Sequence, residues 1–493
     1  MSSMDKDKQP SLTMGPSSRG GSELKKLKAN SSRSLGWTIV LLILTTTLAI
    51  YLFPEHSPLQ LTPWTISSSH QQNKHPFAYS HYWGAYSPYY AVEEYRSPPE
   101  GCQVTQVNII QRHGSRYPTV GPALIMAYAV TKLQNVEVYL DSGLEFIRDF
   151  TFDLETDELV PFGATESSVA GAEAFYRYRH LLSRDNIPFV RASSSSRVVN
   201  SARNWTEGFS IASGFQYNPI LDLVLDAKRN DSLHNYCPAI GSPDSQTSTW
   251  INIYAKPIAD RLNEAAPGAN LTSIEVYYLM ALCAFHSVAK ATASDWCGVF
   301  DEEAWKGFEY AMDLDKYYGT GYGQTLGPVE GVGYINELLA RLTSTPVNDT
   351  TQTNTTLNAS PATFPLNRTI YADFSHDNQL IAIFSAMGLF RQKTPLDPER
   401  YDADPSRTWI TSQLTPFGGR MVVERMLCAS AKTQTQTLTD GTQYVRVLVN
   451  NAVQPLEFCT GVTADGLCAL DKFVESQGYA TGGGGGDWEK CFE

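Results

Sequence analysis

The chain has 493 residues, of which 42% are apolar, and a formal net charge of -13. This length and apolar content suffice for one large core or two smaller ones, so general disorder is excluded. Residues 1–36 hold seven Lys/Arg against three Asp/Glu, a net charge of +4, so the remaining residues carry a net charge of -17. A net negative charge of this size argues against a nucleic-acid partner. A polyanionic ligand would need a local cluster of cations.

The N-terminal region predicts a membrane anchor. Residues 1–36 are rich in Ser, Gly and Lys without apolar periodicity, which is typical of a disordered tail. Residues 37–53 are uncharged and apolar, just long enough for a membrane span, and the Lys/Arg cluster at 25–33 should remain cytoplasmic. We predict a single-pass type II signal anchor with a lumenal or extracellular body. A cleaved signal peptide and a secreted protein are the alternative, disfavoured by the long hydrophilic lead and the lack of a small-residue cleavage site.

A predicted stalk, rich in Pro, Ser, Gln and His, occupies residues 54–82. The body then contains a β-branched run, Val104–Ile110, which predicts a buried strand and ends at the motif QRHGSRYPT, residues 111–119. Ligands of open α/β sheets bind outside the carboxyl ends of strands. Guanidinium groups match phosphate oxygens, and an imidazole nitrogen can attack phosphorus, so this motif indicates phosphate chemistry.

Two further helices and two strands are predicted next. The helices cover residues 123–133 and 168–182, the second with an amphipathic surface pattern. A strand beginning at Phe189 runs into the serines at 193–196, whose small side chains leave space for a ligand that Arg197 could reach. Another strand is predicted at 221–225.

Residues 240–328 show long helical periodicities and few strand-like runs, which predicts an inserted all-helical domain. Gly321-x-Gly323 and Gly331-x-Gly333 lack the strand-glycine-helix context of phosphate loops and are predicted to be ordinary loops. The run Gly482–Gly486 is predicted to be a flexible link.

A second motif with candidate catalytic residues follows a predicted strand at residues 369–374. Ser375-His376-Asp377-Asn378 stands at the end of this strand and before a predicted helix, residues 379–387. Its placement repeats that of His113, which favours function over a polar cap.

The eight cysteines are even in number and contain no Cys-x-x-Cys, so disulfides are favoured over a zinc or redox site. Sequence alone leaves 105 possible pairings. Glycosylation sequons beyond residue 200 also indicate the secretory route; they begin at Asn204, Asn230, Asn270, Asn348, Asn354, Asn358 and Asn367.

These motifs resemble the histidine acid phosphatases, and the fungal phytases in particular. The resemblance rests on QRHGSRYPT, on residues 189–197, on the SHDN string and on the C-terminal residues 486–491, and it extends over about 410 of the 493 residues. It implies an α/β fold with a doubly wound sheet and helices on both faces, as in phosphoglycerate mutases. Residues 83–239 and 329–493 would form this domain, and residues 240–328 the inserted α-helical domain.

The resemblance also implies an acid phosphomonoesterase that works through a phosphohistidine, most closely a phytase acting on inositol hexakisphosphate. His113 would be the nucleophile and Asp377 the proton donor. The implied phosphate-binding residues are Arg112, Arg116, Arg197 and His376, with Lys316 and Asn378 as possible substrate contacts. A monomeric enzyme without metal or cofactor, acting on a small phosphorylated substrate, is expected.

Disulfide partners are implied in the same way. The expected pairs are Cys102–Cys428, Cys237–Cys491, Cys283–Cys297 and Cys459–Cys468. A fifth bridge common in the fungal proteins has no counterpart, because no cysteine precedes Cys102.

Besides another enzyme on the same superfamily fold, such as a phosphoglycerate mutase or a sugar phosphatase, two alternatives to a phytase remain open. Residues 120–127 carry no cation where phytases tend to place lysines, which favours a broad-specificity acid phosphatase with little preference for phytate. An inert membrane-tethered glycoprotein is the other alternative, although the nucleophile and the clamp arginines are all present.

Overall fold

A computed structural model describes residues 77–226, 230–429 and 441–493. The predicted tail, the apolar segment 37–53 and the stalk up to residue 76 lie outside the described residues. Within the described ranges, no helix combines the length and the apolar character that a membrane crossing requires.

The centre of the fold is a mixed eight-stranded sheet with strand order β3-β2-β4-β1-β5-β6-β7, in which β8 also pairs with β6. The first four strands of this order run parallel, and β5 to β8 pair antiparallel. The strands are β1 (Cys102–Arg112), β2 (Phe189–Ser193), β3 (Leu221–Leu225), β4 (Ile370–Ser375), β5 (Arg420–Cys428), β6 (Thr442–Val449), β7 (Ala452–Val453) and β8 (Cys468–Ala469).

Thirteen α-helices surround this sheet in the described part of the chain. They are α1 (Val120–Gln134), α2 (Pro161–Tyr178), α3 (Ser196–Ala212), α4 (Asp244–Ala265), α5 (Ser273–Lys290), α6 (Glu302–Gly319), α7 (Val332–Thr343), α8 (Thr355–Asn358), α9 (Asp377–Met387), α10 (Thr411–Leu414), α11 (Leu470–Ser476), α12 (Gly478–Thr481) and α13 (Asp487–Lys490).

Helices cover both faces of the sheet, as expected for a doubly wound fold. Alternate residues of β1 enter different cores: Ile109 packs with Trp205 and Phe209 of α3, whereas Ile110 belongs to a larger core shared with α1, α5, α6 and α9. Both isoleucines are almost fully buried. The side-chain period of a strand therefore places the two cores on opposite faces.

Residues 240–328 contain α4, α5 and α6 and no strand, in agreement with the predicted helical character. Their apolar side chains are continuous with the larger core of the sheet. The division into an inserted domain stays a prediction.

Three local predictions were wrong. Helix α2 begins at Pro161, seven residues before the predicted start, because proline is well suited to a first helical position; it ends at Tyr178. Gly331 closes a short 3-10 helix and Gly333 lies in α7, so neither is in a loop. Gly483–Gly486 forms hydrogen-bonded 3-10 turns with positive φ, and Gly484 packs so closely on Val329 that a Cβ would lie 2.4 Å from it.

Four disulfides are present: Cys102–Cys428, Cys237–Cys491, Cys283–Cys297 and Cys459–Cys468. They are the pairs that the resemblance implies. Bridges of this kind persist in oxidising compartments, which fits passage through the secretory pathway.

Candidate active site

Three neighbouring parallel strands deliver the candidate residues to one edge of the sheet. Arg112, the last residue of β1, is in register with Ser375, the last residue of β4, and β2 flanks β4 on the other side. Beyond these strand ends lie His113, the first turn of α3 with Arg197, and His376. Parallel register therefore brings together residues that are more than 260 positions apart in the chain.

His113 directly follows the last residue of β1 at this edge. Its backbone N–H donates to Ser375 O at 3.0 Å, and its ring Nδ1 lies 2.9 Å from Gly114 O. Because a carbonyl can only accept, the proton is assigned to Nδ1, which leaves the lone pair on Nε2. Burial and the nearby charge of Arg112 hold the pKa of His113 well below its usual range, so the ring is neutral and nucleophilic.

His113 is only 1% exposed, which is less than expected for an imidazole that must react with a substrate. The rings of His376 and Phe417 lie 5.6 and 5.9 Å away between centroids. The open part of the cluster is formed by the side chains of Arg197 and Asp377, which are 20% and 19% exposed.

Arg112 is buried and fixed by backbone carbonyl groups. Its Nη1 donates to Thr415 O at 2.7 Å and to Ala85 O, and its guanidinium stacks on the Phe417 ring at 4.5 Å. Burial lowers the pKa of Arg112 to about 10, although the Asp377 charge opposes this. The group remains a cation at neutral pH.

Arg116 approaches from the loop after β1, and Arg197 approaches from the start of α3. The Arg116 guanidinium lies 5.6 Å from the ring of Phe285 on α5, and Arg197 lies in the first turn of α3, 4.0 Å from Asp157. Burial and the charge of Arg116 lower the pKa of Arg197. The mutual repulsion of these cations would be relieved by an anion between them.

His376 caps the N-terminus of α9, directly after β4, and Asp377 is the first residue of that helix. The Nε2 of His376 lies 3.3 Å from Ser195 Oγ, and burial together with the charge of Arg197 lowers its pKa to about 3. Asp377 lies 3.3 Å from Arg112 Nη2 and 3.0 Å from Lys316 Nζ. Burial by itself raises the pKa of Asp377, but these cations outweigh it and hold the pKa well below the usual range.

Lys316 comes from a distant part of the chain, the last turn of α6. Its Nζ donates to Asn378 Oδ1 at 2.7 Å and also contacts Asp315 at 3.2 Å. The structure thus brings together all eight predicted site residues: Arg112, His113, Arg116, Arg197, Lys316, His376, Asp377 and Asn378.

Several supporting residues were missed from the sequence. Glu166 accepts the backbone N–H of Ser115 at 2.8 Å and that of Tyr89 at 2.9 Å, which fixes the arginine-histidine loop. Gly114 and Gly163 let two backbones touch, since a Cβ on Gly114 would lie 2.3 Å from Gly163 O. Lone glutamates and glycines give no sequence signal of this kind.

Glu309 was also missed. Its carboxylate accepts the N–H of Gly84 at 2.8 Å and that of Ser412 at 2.9 Å. These contacts hold the two segments whose carbonyl groups, Ala85 O and Thr415 O, receive Arg112. Glu309 therefore positions Arg112 through the backbone, without contacting it in the described hydrogen bonds.

Behind the site, a buried ionic network ties the strands to α7. Asp373 of β4 accepts from Arg191 Nε at 2.7 Å and from Arg341 Nη1 at 2.6 Å, and Arg191 also pairs with Glu337 at 2.7 Å. All four side chains are at most 2% exposed. Buried charges are tolerated only when paired in this way.

Chemically, the site can hold a tetrahedral anion. Guanidinium groups from the end of β1, from the loop after it and from the first turn of α3 surround a neutral imidazole, and one carboxylate lies between two cations at the rim. Among the described residues, no group of three or more His, Cys, Asp and Glu side chains is arranged to hold a metal ion.

Comparison with known proteins agrees with this arrangement. Residues 103–450 match the profile of the histidine phosphatase superfamily (branch 2). Phytase A of Aspergillus oryzae is 36% identical over 463 residues, covering 89% of this chain and 96% of that protein. A Phytase A of Aspergillus terreus is 38% identical over 437 residues, covering 84% and 91%.

Solved structures show the same fold. The phytase from D. castellii superposes with a TM-score of 0.66 at 21% identity, covering 86% of this chain and 90% of that one. A multiple inositol polyphosphate phosphatase from Bifidobacterium longum, in complex with phosphate, gives 0.60 at 14% identity, with coverages of 80% and 97%. The chain belongs to the histidine phosphatase superfamily, branch 2, and is a phosphoric monoester hydrolase of the phytase-like histidine acid phosphatase type.

Proposed function

We propose that the site hydrolyses phosphomonoesters through a phosphohistidine at His113. The observation that carries the proposal is the neutral His113 ring at the sheet edge, with its Nδ1 on Gly114 O and buried cations around it. Arg112, Arg116 and Arg197 bind the non-bridging phosphate oxygens and stabilise the charge that spreads over them in the transition state. His376 adds a further donor.

In the first step, His113 Nε2 attacks phosphorus in line, and the bond to the leaving oxygen breaks. Asp377 gives its proton to the departing alkoxide. In the second step, water gives a proton to the Asp377 carboxylate and attacks phosphorus, and the phosphorus–nitrogen bond breaks. Inorganic phosphate leaves and the neutral His113 is restored.

Asp377 must become protonated when the substrate binds. Without an anion in the site, Arg112 and Lys316 hold the pKa of Asp377 well below its usual range. A phosphate group bound to those cations neutralises them and places negative charge beside the carboxyl group, which raises that pKa. Activity should therefore favour acidic conditions, where more of Asp377 carries its proton.

Inositol phosphates are the proposed substrates, with inositol hexakisphosphate first among them. The support is that relatives at 36–38% identity over 84–89% of the chain are phytases. Lys316 and Asn378 would meet the substrate near the leaving oxygen.

A broad-specificity acid phosphatase is the second candidate function. The start of α1 follows the arginine-histidine loop and presents Val120 and Leu124, 53% and 67% exposed, rather than cations. Phosphate release from p-nitrophenyl phosphate and from inositol hexakisphosphate should be compared at about pH 5 with EDTA present. A higher kcat/KM on inositol hexakisphosphate supports the phytase; a lower one supports the broad enzyme.

The covalent intermediate can be tested directly. A rapid acid-free quench with radiolabelled substrate should trap label at residue 113 in a bond that is labile to acid and stable to alkali. His286 lies on α5 and hydrogen bonds to Ser294, so it provides the control: His286→Ala should still be labelled. Turnover without any trapped label, or label at another residue, would contradict the mechanism.

Tethering of this domain by residues 37–53 as a type II anchor is likewise a proposal. Its support is the apolar segment with basic residues before it. N-terminal sequencing of the mature protein provides the test. A start between residues 55 and 80 would show cleavage and secretion.

A further inference from the structure

His234 stands beside the proposed phosphate site without a role in the mechanism. It lies in the loop after β3, and its ring centroid is 5.3 Å from that of His376, which in turn is 5.6 Å from His113. His113 and His234 thus each contact the ring of His376, and no contact between the rings of His113 and His234 is present among the described ring pairs. The three imidazoles extend the site beyond the scissile phosphate.

The His234 loop is attached to the end of β4. Ser375 Oγ donates to Leu233 O at 2.6 Å, and Asp231 Oδ1 accepts the N–H of Leu233 at 2.8 Å. The His234 N–H donates to Asp231 O at 3.2 Å, and the Gln352 side chain donates to His234 O. The position of the ring is therefore set by the strand that also delivers His376.

The ring itself has unused hydrogen-bonding capacity. His234 Nδ1 is buried and has no hydrogen-bond partner among the described residues. Burial and the charge of Arg197 lower the pKa of His234, so the ring experiences the same cation that the mechanism assigns to phosphate binding. A buried polar nitrogen without a partner is costly, and an anionic ligand would satisfy it.

We propose that His234 is a specificity-determining residue that binds a second phosphate of the substrate, carried next to the scissile phosphate. The inference rests on the proposed phosphatase function. Because the described ring contacts of His234 include His376 and not His113, an oxyanion beside His234 belongs to a different phosphate from the one that His113 attacks. The substrate class is a polyphosphorylated alcohol with neighbouring phosphates.

His234→Ala tests this assignment with two substrates. Removing one charge-assisted hydrogen bond should raise the KM for inositol hexakisphosphate about tenfold. The KM and kcat for p-nitrophenyl phosphate, which has one phosphate, should stay unchanged. His234→Gln, which keeps a donor, should recover part of the loss on inositol hexakisphosphate.

His286→Ala is the matched control, because His286, on α5, is also partly buried but hydrogen bonds to Ser294. It should leave both substrates unaffected. Equal losses on both substrates for His234→Ala, or no change on either, would overturn the inference. A wild-type protein that hydrolyses neither substrate would instead contradict the proposed function itself.

Discussion

The sheet edge and the helices α5 and α6 hold their parts of the site in different ways. At the sheet edge, strand register and backbone hydrogen bonds fix His113 and His376, and a carbonyl pair fixes Arg112. The helices contribute single side chains, Phe285 and Lys316, and both helices pack into the larger core. Geometry for the reacting atoms therefore comes from the sheet, and the helices adjust its electrostatics.

Loss of the nucleophile should have the largest effect and tests the sheet side of this comparison. His113→Ala removes the group that forms the covalent bond, so kcat should fall by more than about 10⁴-fold. Phosphate release from p-nitrophenyl phosphate provides the measurement. Circular dichroism should show that the fold is retained; a folded variant with substantial residual turnover would break the comparison.

Loss of the proposed acid comes next. Asp377→Asn should lower kcat for glycerol phosphate about 10³-fold, because an alkoxide needs a proton to depart. The loss on p-nitrophenyl phosphate should be much smaller, since that phenolate leaves unaided. Asp315→Asn, at the neighbouring carboxylate on Lys316, is the control and should keep the ratio of the two rates. Equal losses on both esters for Asp377→Asn would remove its assigned role.

The buried network behind the sheet edge should matter for stability. Asp373→Asn leaves two buried arginines short of a charge, so the free energy of unfolding should fall by about 3–5 kcal/mol. Urea denaturation near neutral pH with disulfides intact measures it. The exposed pair Lys256–Asp260 supplies the control, because Asp260→Asn should cost no more than about 0.5 kcal/mol.

The same carboxylate predicts a pH dependence. Arg191 and Arg341 outweigh burial and hold the pKa of Asp373 below its ordinary value. Its contribution is therefore complete above the unfolded pKa of about 3.9, and it is lost as the pH falls through the folded pKa. The stability difference between wild type and Asp373→Asn should accordingly shrink in strong acid, and a difference that grows there would contradict this account.

The smallest effect is expected on the helical side. Lys316→Met should lower kcat about tenfold, because it removes one proposed contact with the substrate and a cation beside Asp377. It should also move the alkaline limb of the kcat profile to higher pH, since one of the two cations that depress the pKa of Asp377 is gone. Lys306→Met, on the same helix and partly exposed, is the control. An unshifted limb would mean that Lys316 does not set the state of the acid.

The site residues could be predicted from the sequence where several reactive residues share one short motif. Arg112, His113 and Arg116 share one motif, and His376 and Asp377 share another. His234, Glu166 and Glu309 were missed because each is a single polar residue in an ordinary stretch. Their roles depend on contacts across the fold, such as that of Glu166 with Ser115 N.

The start of α2 and the glycine turns were missed for a related reason. The periodic pattern from residue 168 onward was visible, but the earlier turn from Pro161 packs small residues, including Gly163, against a backbone. Small residues carry no apolar period. Close packing of small residues therefore cannot be predicted from the hydropathy pattern.

By itself the sequence determined the residue chemistry, the order of strands and helices along the chain, and the strand ends where the reactive strings stand. Only the tertiary structure decided which strands are neighbours, that Lys316 reaches Asp377, and that His113 is neutral with its lone pair on Nε2. The physical reason is the distance along the chain over which the two kinds of interaction act. Strand and helix preferences act between residues a few positions apart, whereas proximity, burial and pKa depend on groups hundreds of positions away.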